Sequence, residues 1–134
     1  MTGRPHAPIR VLVVDDHRIF VEGLTAVLGR DDRFDVVGSA SSGHDAVALA
    51  RETAAEVVLM DMSMPVLDGV AATRRLLDAQ PGLQIVALSG HTDRLSRAAA
   101  LEAGAAEFVS KSEDIDGLIA TILAVCPRRE PAAG

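Results

Sequence analysis

Five short apolar runs punctuate the chain at Ile9-Val14, Phe34-Gly38, Val57-Met60, Gln84-Leu88 and Glu107-Val109, and their length and β-branched content predict strands. The longer stretches between them, Arg18 to Leu28, His44 to Glu52, Val70 to Ala79, Arg94 to Ala103 and Ile115 to Val125, space their apolar residues at helical intervals. In the first, Phe20, Leu24, Val27 and Leu28 are expected to share a buried face, while Glu22 and Arg30 point to water. Ser42, Thr92 or Asp93, and Asp114 stand where a side-chain oxygen can accept unpaired helical N–H groups, and Asp16 could do the same for the first helix. Gly104 ends the fourth helix and Pro81-Gly82 the third. Strand and helix alternate without internal repeat, and the strands are nearly continuous in apolar residues. A parallel sheet covered by helices on both faces follows, a doubly wound α/β fold.

Length and composition narrow this further. At 134 residues the chain suits one domain, and its 49% hydrophobic content with 2% aromatics predicts an aliphatic core. A net charge of −6 argues against a nucleic-acid surface, which needs clustered Lys and Arg, so any DNA contact belongs to another domain. Cys126 is the only cysteine, which excludes an intrachain disulfide and fits a reducing cytoplasm; packing is its expected role. No signal peptide or bilayer-length apolar run is present, so we expect a soluble cytoplasmic protein without membrane contact. The expected organisation is a disordered leader over 1–8, a domain over 9–126 and a linker or tail over 127–134, where prolines and small residues follow the last periodic segment.

The chemistry gathers at the strand ends. The first strand runs into Asp15-Asp16, the third into Asp61, the fourth into Ser89 and the fifth into Ser110-Lys111. In a doubly wound sheet the carboxyl ends of the strands form the ligand edge. Three carboxylates crowded there repel one another unless a cation sits among them. An acidic set without His or Cys ligands favours a hard divalent ion, Mg²⁺ or Mn²⁺, over Zn²⁺. Lys111 adds a positive charge for a phosphoryl oxygen. Singly, each residue has an ordinary reading: Asp16 as a cap, Asp68-Gly69 as a turn, Lys111 as a solvated strand end. Their joint placement on one edge is what points to a site.

These residues resemble the response-regulator receiver family of two-component signalling. The resemblance lies in Val11-Leu-Val-Val-Asp-Asp-His17, Val57-Val-Leu-Met-Asp-Met-Ser-Met-Pro-Val-Leu-Asp-Gly69, Ala87-Leu-Ser-Gly90 and Gly104-Ala-Ala-Glu-Phe-Val-Ser-Lys111, and extends roughly from Ile9 to Val125. It implies a flavodoxin-like receiver fold, with strand order 2-1-3-4-5. It also implies a sensor histidine kinase as phosphodonor and Asp61 as phosphoryl acceptor. Asp16 and Asp61 would bind the metal directly, Asp15 through water, and the Ser63 backbone carbonyl would complete the shell. Ser89 and Lys111 would contact the phosphoryl group, and Ser89 with Phe108 would form the switch. Positive charge opposite the equatorial oxygens is what phosphoryl transfer asks of a protein.

Departures from the family pattern carry their own expectations. Phe108 lacks the hydroxyl of the Tyr found in many relatives, so only packing separates its two orientations. Ser112 replaces the common Pro after Lys111, and a trans peptide is expected there. Ser63 lines the path of the hydrolytic water. His6, His44 and His91 are read as solvent-facing and His17 as following the acidic pair, none of them a phosphodonor. Met60, Met62 and Met64 fill space beside the site. A haloacid-dehalogenase-type phosphatase would need a second Asp where Ser63 stands, and a flavodoxin-like carrier would need Trp or Tyr against its flavin. A receiver-like module that binds partners without phosphorylation is the remaining rival. Gly69-Val-Ala-Ala-Thr-Arg-Arg75 and Lys111-Ser112 resemble receivers joined to helix-turn-helix effectors. The chain is thus expected to be the N-terminal part of a transcriptional regulator, with a stand-alone receiver as the alternative, and to form phosphorylation-dependent homodimers through its last helices.

Overall fold

The computed structural model describes residues 7–63, 69–90 and 94–126. Strands β1 (Ile9–Val14), β2 (Phe34–Ala40), β3 (Val57–Asp61), β4 (Gln84–Ser89) and β5 (Glu107–Ser110) alternate with helices α1 (Arg18–Gly29), α2 (Gly43–Thr53), α3 (Gly69–Ala79), α4 (Arg94–Ala103) and α5 (Ile115–Val125). All strand pairs are parallel, in the order β2-β1-β3-β4-β5. The chain reverses its direction of growth at β1, so the carboxyl ends of β1 and β3 flank the crevice that such a sheet leaves open.

Alternation within each strand divides the core into two layers. Leu12, Val14, Val58, Met60, Ile85, Ala87 and Phe108 pack with Ala46, Ala50, Ala72, Leu76 and Ala100 from α2, α3 and α4. Val11, Val13, Val57, Leu59, Val86, Leu88 and Val109 pack with Leu24, Leu28, Leu118 and Ile122 from α1 and α5. The first layer is rich in alanine on its helix side, which lets three helices lie close to the sheet. Phe34 and Phe108 are the buried aromatics of these layers, and Phe20 packs partly buried against the second.

Elements agree with the sequence reading to within two residues at each end. β2 runs to Ala40 rather than Gly38 because a register shift opposite Val11/Leu12 lets it keep pairing with β1. Ser42 Oγ accepts the Asp45 N–H at 3.3 Å and Asp114 Oδ1 that of Gly117 at 2.8 Å, so both act as caps. Asp16 does not: His17 holds the cap position of α1, with no side-chain bond to the helix. Val27 also departs from expectation. At 36% exposed it stands at the edge of the α1 stripe, and Leu24 and Leu28 carry the burial. Gly104 has φ +116° at the end of α4, the left-handed region that favours glycine. No described peptide bond is cis, including Lys111–Ser112, and Ser112 N–H instead donates to Ser110 Oγ at 3.1 Å. Thr92, Asp93, His6, Met64, Asp68, His91, most of the 1–8 leader and the tail from Pro127 lie outside the described residues.

Candidate functional site

Asp61 is the last residue of β3 and is fully buried, so its carboxylate lies at the mouth of the sheet rather than in solvent. Two backbone ties fix this mouth. Met62 N–H donates to Leu88 O at 2.9 Å and Lys111 N–H to Ser89 O at 2.8 Å, which locks the exits of β3 and β5 to the end of β4. Gly69 presses on the same backbone: a Cβ there would stand 2.6 Å from Asp61 O and 2.6 Å from Met62 Cα. It opens α3 rather than serving only as a turn residue.

Asp15, buried at 3% exposure, follows β1, and its Oδ1 accepts the His17 N–H at 2.8 Å. Its Oδ2 lies 2.7 Å from Lys111 Nζ, an ion pair whose direction falls short of a hydrogen bond. Lys111 Nζ is also 3.4 Å from Asp61 Oδ1 and 4.8 Å from the centre of the Phe20 ring. The ammonium is thus held between two carboxylates and an aromatic face. Ser63 N–H donates to Asp61 Oδ1 at 3.1 Å, whereas Asp61 Oδ2, equally buried, accepts no hydrogen bond.

That unsatisfied oxygen is costly, because burial without a partner forfeits hydration. Burial pushes the Asp61 carboxyl above the ordinary carboxylate range, and the Asp15 charge pushes the same way against the Ser63 N–H and Lys111. Carboxylate oxygens of Asp15, Asp16 and Asp61, together with a ring nitrogen of His17, all lie within 4.8 Å of one another. A small divalent cation fits this donor set: it would supply the missing partner of Asp61 Oδ2 and would offset the repulsion of three acids.

Of the residues singled out by sequence, Asp15, Asp16, Asp61 and Lys111 converge directly. Ser89 is buried beside them, one residue beyond Leu88, the cross-strand neighbour of Asp61. Phe108 is buried in the layer under α4, with Ala87, Ala100 and Ala105. Met60 is buried and Met62 partly so, as space-filling side chains beside the site. Sequence reading missed His17, whose Nδ1 faces the acids, and Phe20, which it placed only in the helix stripe. For Phe20, the one available signal was its place one helical turn after Asp16.

Residues 11–123 match the family of the response regulator receiver domain. The chain is 40% identical over 114 residues to the response regulator GacA of Pseudomonas viridiflava, covering 85% of this chain and 53% of that protein. It is 35% identical over 117 residues to the transcriptional regulatory protein DegU of Brevibacillus brevis, covering 87% and 50%. It thus spans about half the length of these curated relatives. Among solved structures, a LuxR-family two-component response regulator from Aurantimonas superposes with a TM-score of 0.84 at 33% identity, covering 89% of this chain and 85% of that one. The response regulator domain of Thermotoga maritima CheB gives 0.81 at 28% identity, covering 89% and 96%. The doubly wound sheet with its buried acidic mouth is that of a two-component receiver, and the chain belongs to the response-regulator receiver domain family.

Proposed function

We propose that Asp61 accepts a phosphoryl group from the phosphohistidine of a sensor histidine kinase. The observation that carries this is the buried Asp61 carboxylate, with one oxygen unsatisfied and Lys111 3.4 Å from the other. In the transfer the donor N–P bond breaks, an Asp61 O–P bond forms, and the electron pair of the broken bond returns to the imidazole. Asp61 must be ionised to attack, and burial opposes that, so the site needs compensating positive charge. Lys111 supplies one such charge and is positioned for an equatorial phosphoryl oxygen. Asp15, Asp16, Asp61 and the Ser63 backbone carbonyl would hold Mg²⁺, or Mn²⁺ in its place. When bound, the ion neutralises the acidic cluster and the charge developing on the phosphoryl oxygens.

Ser89 would donate its hydroxyl to the phosphoryl group. Its movement would open space that Phe108 fills by changing rotamer, carrying the signal to the α4 surface, where Leu95 is 83% exposed. The protein thereby catalyses only its own phosphorylation and slow dephosphorylation, with Ser63 beside the path of water. The output would be transcriptional, through a DNA-binding domain beyond this chain, as suggested by relatives of which the matched region covers only about half. Residues 9–126 form the receiver unit of this scheme and 127–134 its linker, acting in the cytoplasm.

Incubation with a small-molecule phosphodonor and Mg²⁺, read by intact mass, tests the central step. A single phosphoryl adduct is expected, absent without Mg²⁺ and absent in Asp61→Asn. No adduct in the wild type, with donor hydrolysis excluded, would leave a receiver fold that signals by binding alone. Sedimentation of the same phosphorylated sample should show a homodimer, and an unchanged monomer would remove self-association from the scheme.

A further inference from the structure

Among the described residues, His17 alone brings a ring nitrogen to the acids. Its Nδ1 lies 2.9 Å from Asp15 Oδ1, 3.5 Å from Asp16 Oδ1 and 3.8 Å from Asp61 Oδ2, with Lys111 Nζ at 3.1 Å. In an octahedral site with bonds of about 2.1 Å, neighbouring ligand atoms stand about 3.0 Å apart and opposite ones about 4.2 Å. The 2.9 Å separation from Asp15 Oδ1, a hydrogen bond in the absence of an ion, is close to the neighbouring spacing, and the 3.5 and 3.8 Å separations from Asp16 and Asp61 lie between the two. The backbone reinforces the placement: the His17 N–H is tied to Asp15 Oδ1, so the ring is anchored over the mouth even though 62% of its side chain is exposed. A second observation points to a ligand at the same spot, since Asp61 Oδ2 is fully buried, faces Nδ1 and accepts no hydrogen bond.

We infer that His17 supplies a nitrogen ligand, through Nδ1, to the divalent ion held by Asp15, Asp16 and Asp61, and so biases this pocket from Mg²⁺ toward a borderline transition ion such as Mn²⁺. The inference rests on the proposal that these acids hold a cation. The chemistry is that of donor type. Mg²⁺ gains little when an imidazole replaces an oxygen ligand and sheds water reluctantly, whereas first-row transition ions gain affinity with nitrogen donors. Lys111 Nζ shares the space with Nδ1, so the arriving cation displaces the ammonium from the acids and frees it for a phosphoryl oxygen. Nδ1 cannot accept from Lys111 and donate to Asp15 Oδ1 at once. With the ion bound, its lone pair goes to the metal and Nε2–H remains toward solvent.

Mn²⁺ binding to the full chain, followed by the electron paramagnetic resonance signal of free Mn²⁺ with Mg²⁺ as competitor, tests this in wild type, His17→Ala and His44→Ala. His44 is exposed on α2 and serves as a control for surface imidazoles. We expect His17→Ala to weaken Mn²⁺ about tenfold while Mg²⁺ changes about twofold or less, and His44→Ala to change neither. Pulsed measurements on the bound ion should show a ¹⁴N coupling in wild type and His44→Ala that is lost in His17→Ala. Equal Mn²⁺ to Mg²⁺ ratios in wild type and His17→Ala, with no nitrogen coupling, would overturn the inference and leave the oxygen site standing. Absence of any cation binding in the wild type would overturn both.

Discussion

The two ends of the sheet handle polar groups in opposite ways. Where the strands begin, Arg10 donates through Nε and Nη2 to Thr53 O at 3.0 and 2.7 Å, Arg10 N–H donates to Glu56 Oε1 at 3.0 Å, and Glu56 N–H returns to Arg10 O at 2.9 Å. Charge there is spent on closing α2 and aligning β1 with β3. Where the strands end, Asp15 and Asp61 are buried together, Asp61 Oδ2 has no partner, and Lys111 is shared between them. A satisfied network stabilises, and an unsatisfied one keeps chemical capacity at a cost in stability. The difference marks the functional edge independently of any motif.

The sharpest way to break the comparison is to add a methyl group at each end. Gly69→Ala forces a Cβ onto Asp61 O, Met62 Cα and the Met62 sulfur, whereas Gly104→Ala meets Leu77 Cδ1 and strains a φ of +116°. Both should destabilise, Gly69→Ala by about 3 kcal/mol and Gly104→Ala by about 2 kcal/mol in urea unfolding. Only Gly69→Ala should also abolish phosphoryl uptake measured at a temperature where the variant remains folded. Equal uptake in the two variants would mean that the backbone under Asp61 tolerates displacement.

Arg10→Ala gives a smaller effect on the opposite edge. Losing two hydrogen bonds to the Thr53 carbonyl should cost about 1 kcal/mol. The gain in stability on adding a divalent cation should be the same in Arg10→Ala as in wild type, because Arg10 makes its bonds at the far end of β1. A thermal melt with and without Mg²⁺ checks both points. A cation-dependent difference between the two proteins would show the edges to be coupled through the strand.

The fold was legible because each level of the sequence agreed: β-branched runs of strand length, helices with one apolar face, and Ser42 and Asp114 at cap positions. The acids and Lys111 were legible because strand ends in a parallel sheet share one edge. What escaped reading depended on side-chain direction rather than residue type. Asp16 has the chemistry of a cap, but the chain enters α1 with His17 in that place. His17 resembled any polar residue after an acidic pair until the Asp15 carboxylate bent the backbone to aim its ring inward. Gly69 read as half of a turn, since close approach to another strand's backbone leaves no trace in local sequence.

The finest test of the contrast is the pH dependence of stability. Asp61 has a folded-state pKa raised above 3.8 by burial, so between that value and the raised one the folded protein binds more protons than the unfolded chain. Stability contributed by the protonated carboxyl is therefore complete below the unfolded value and is lost as pH rises through the folded one. Asp61→Asn removes this dependence. Without divalent cation, the variant's advantage over wild type should be smallest near the ordinary carboxylate pKa, grow with pH, and level off above the folded pKa. Urea midpoints taken across the carboxylate range provide the measurement. Arg10→Ala, at the satisfied edge, should run parallel to wild type over the same interval. An Asp61→Asn advantage that is constant with pH would mean that Asp61 already finds its compensation in Ser63 N–H and Lys111, and that the two ends of the sheet are balanced alike.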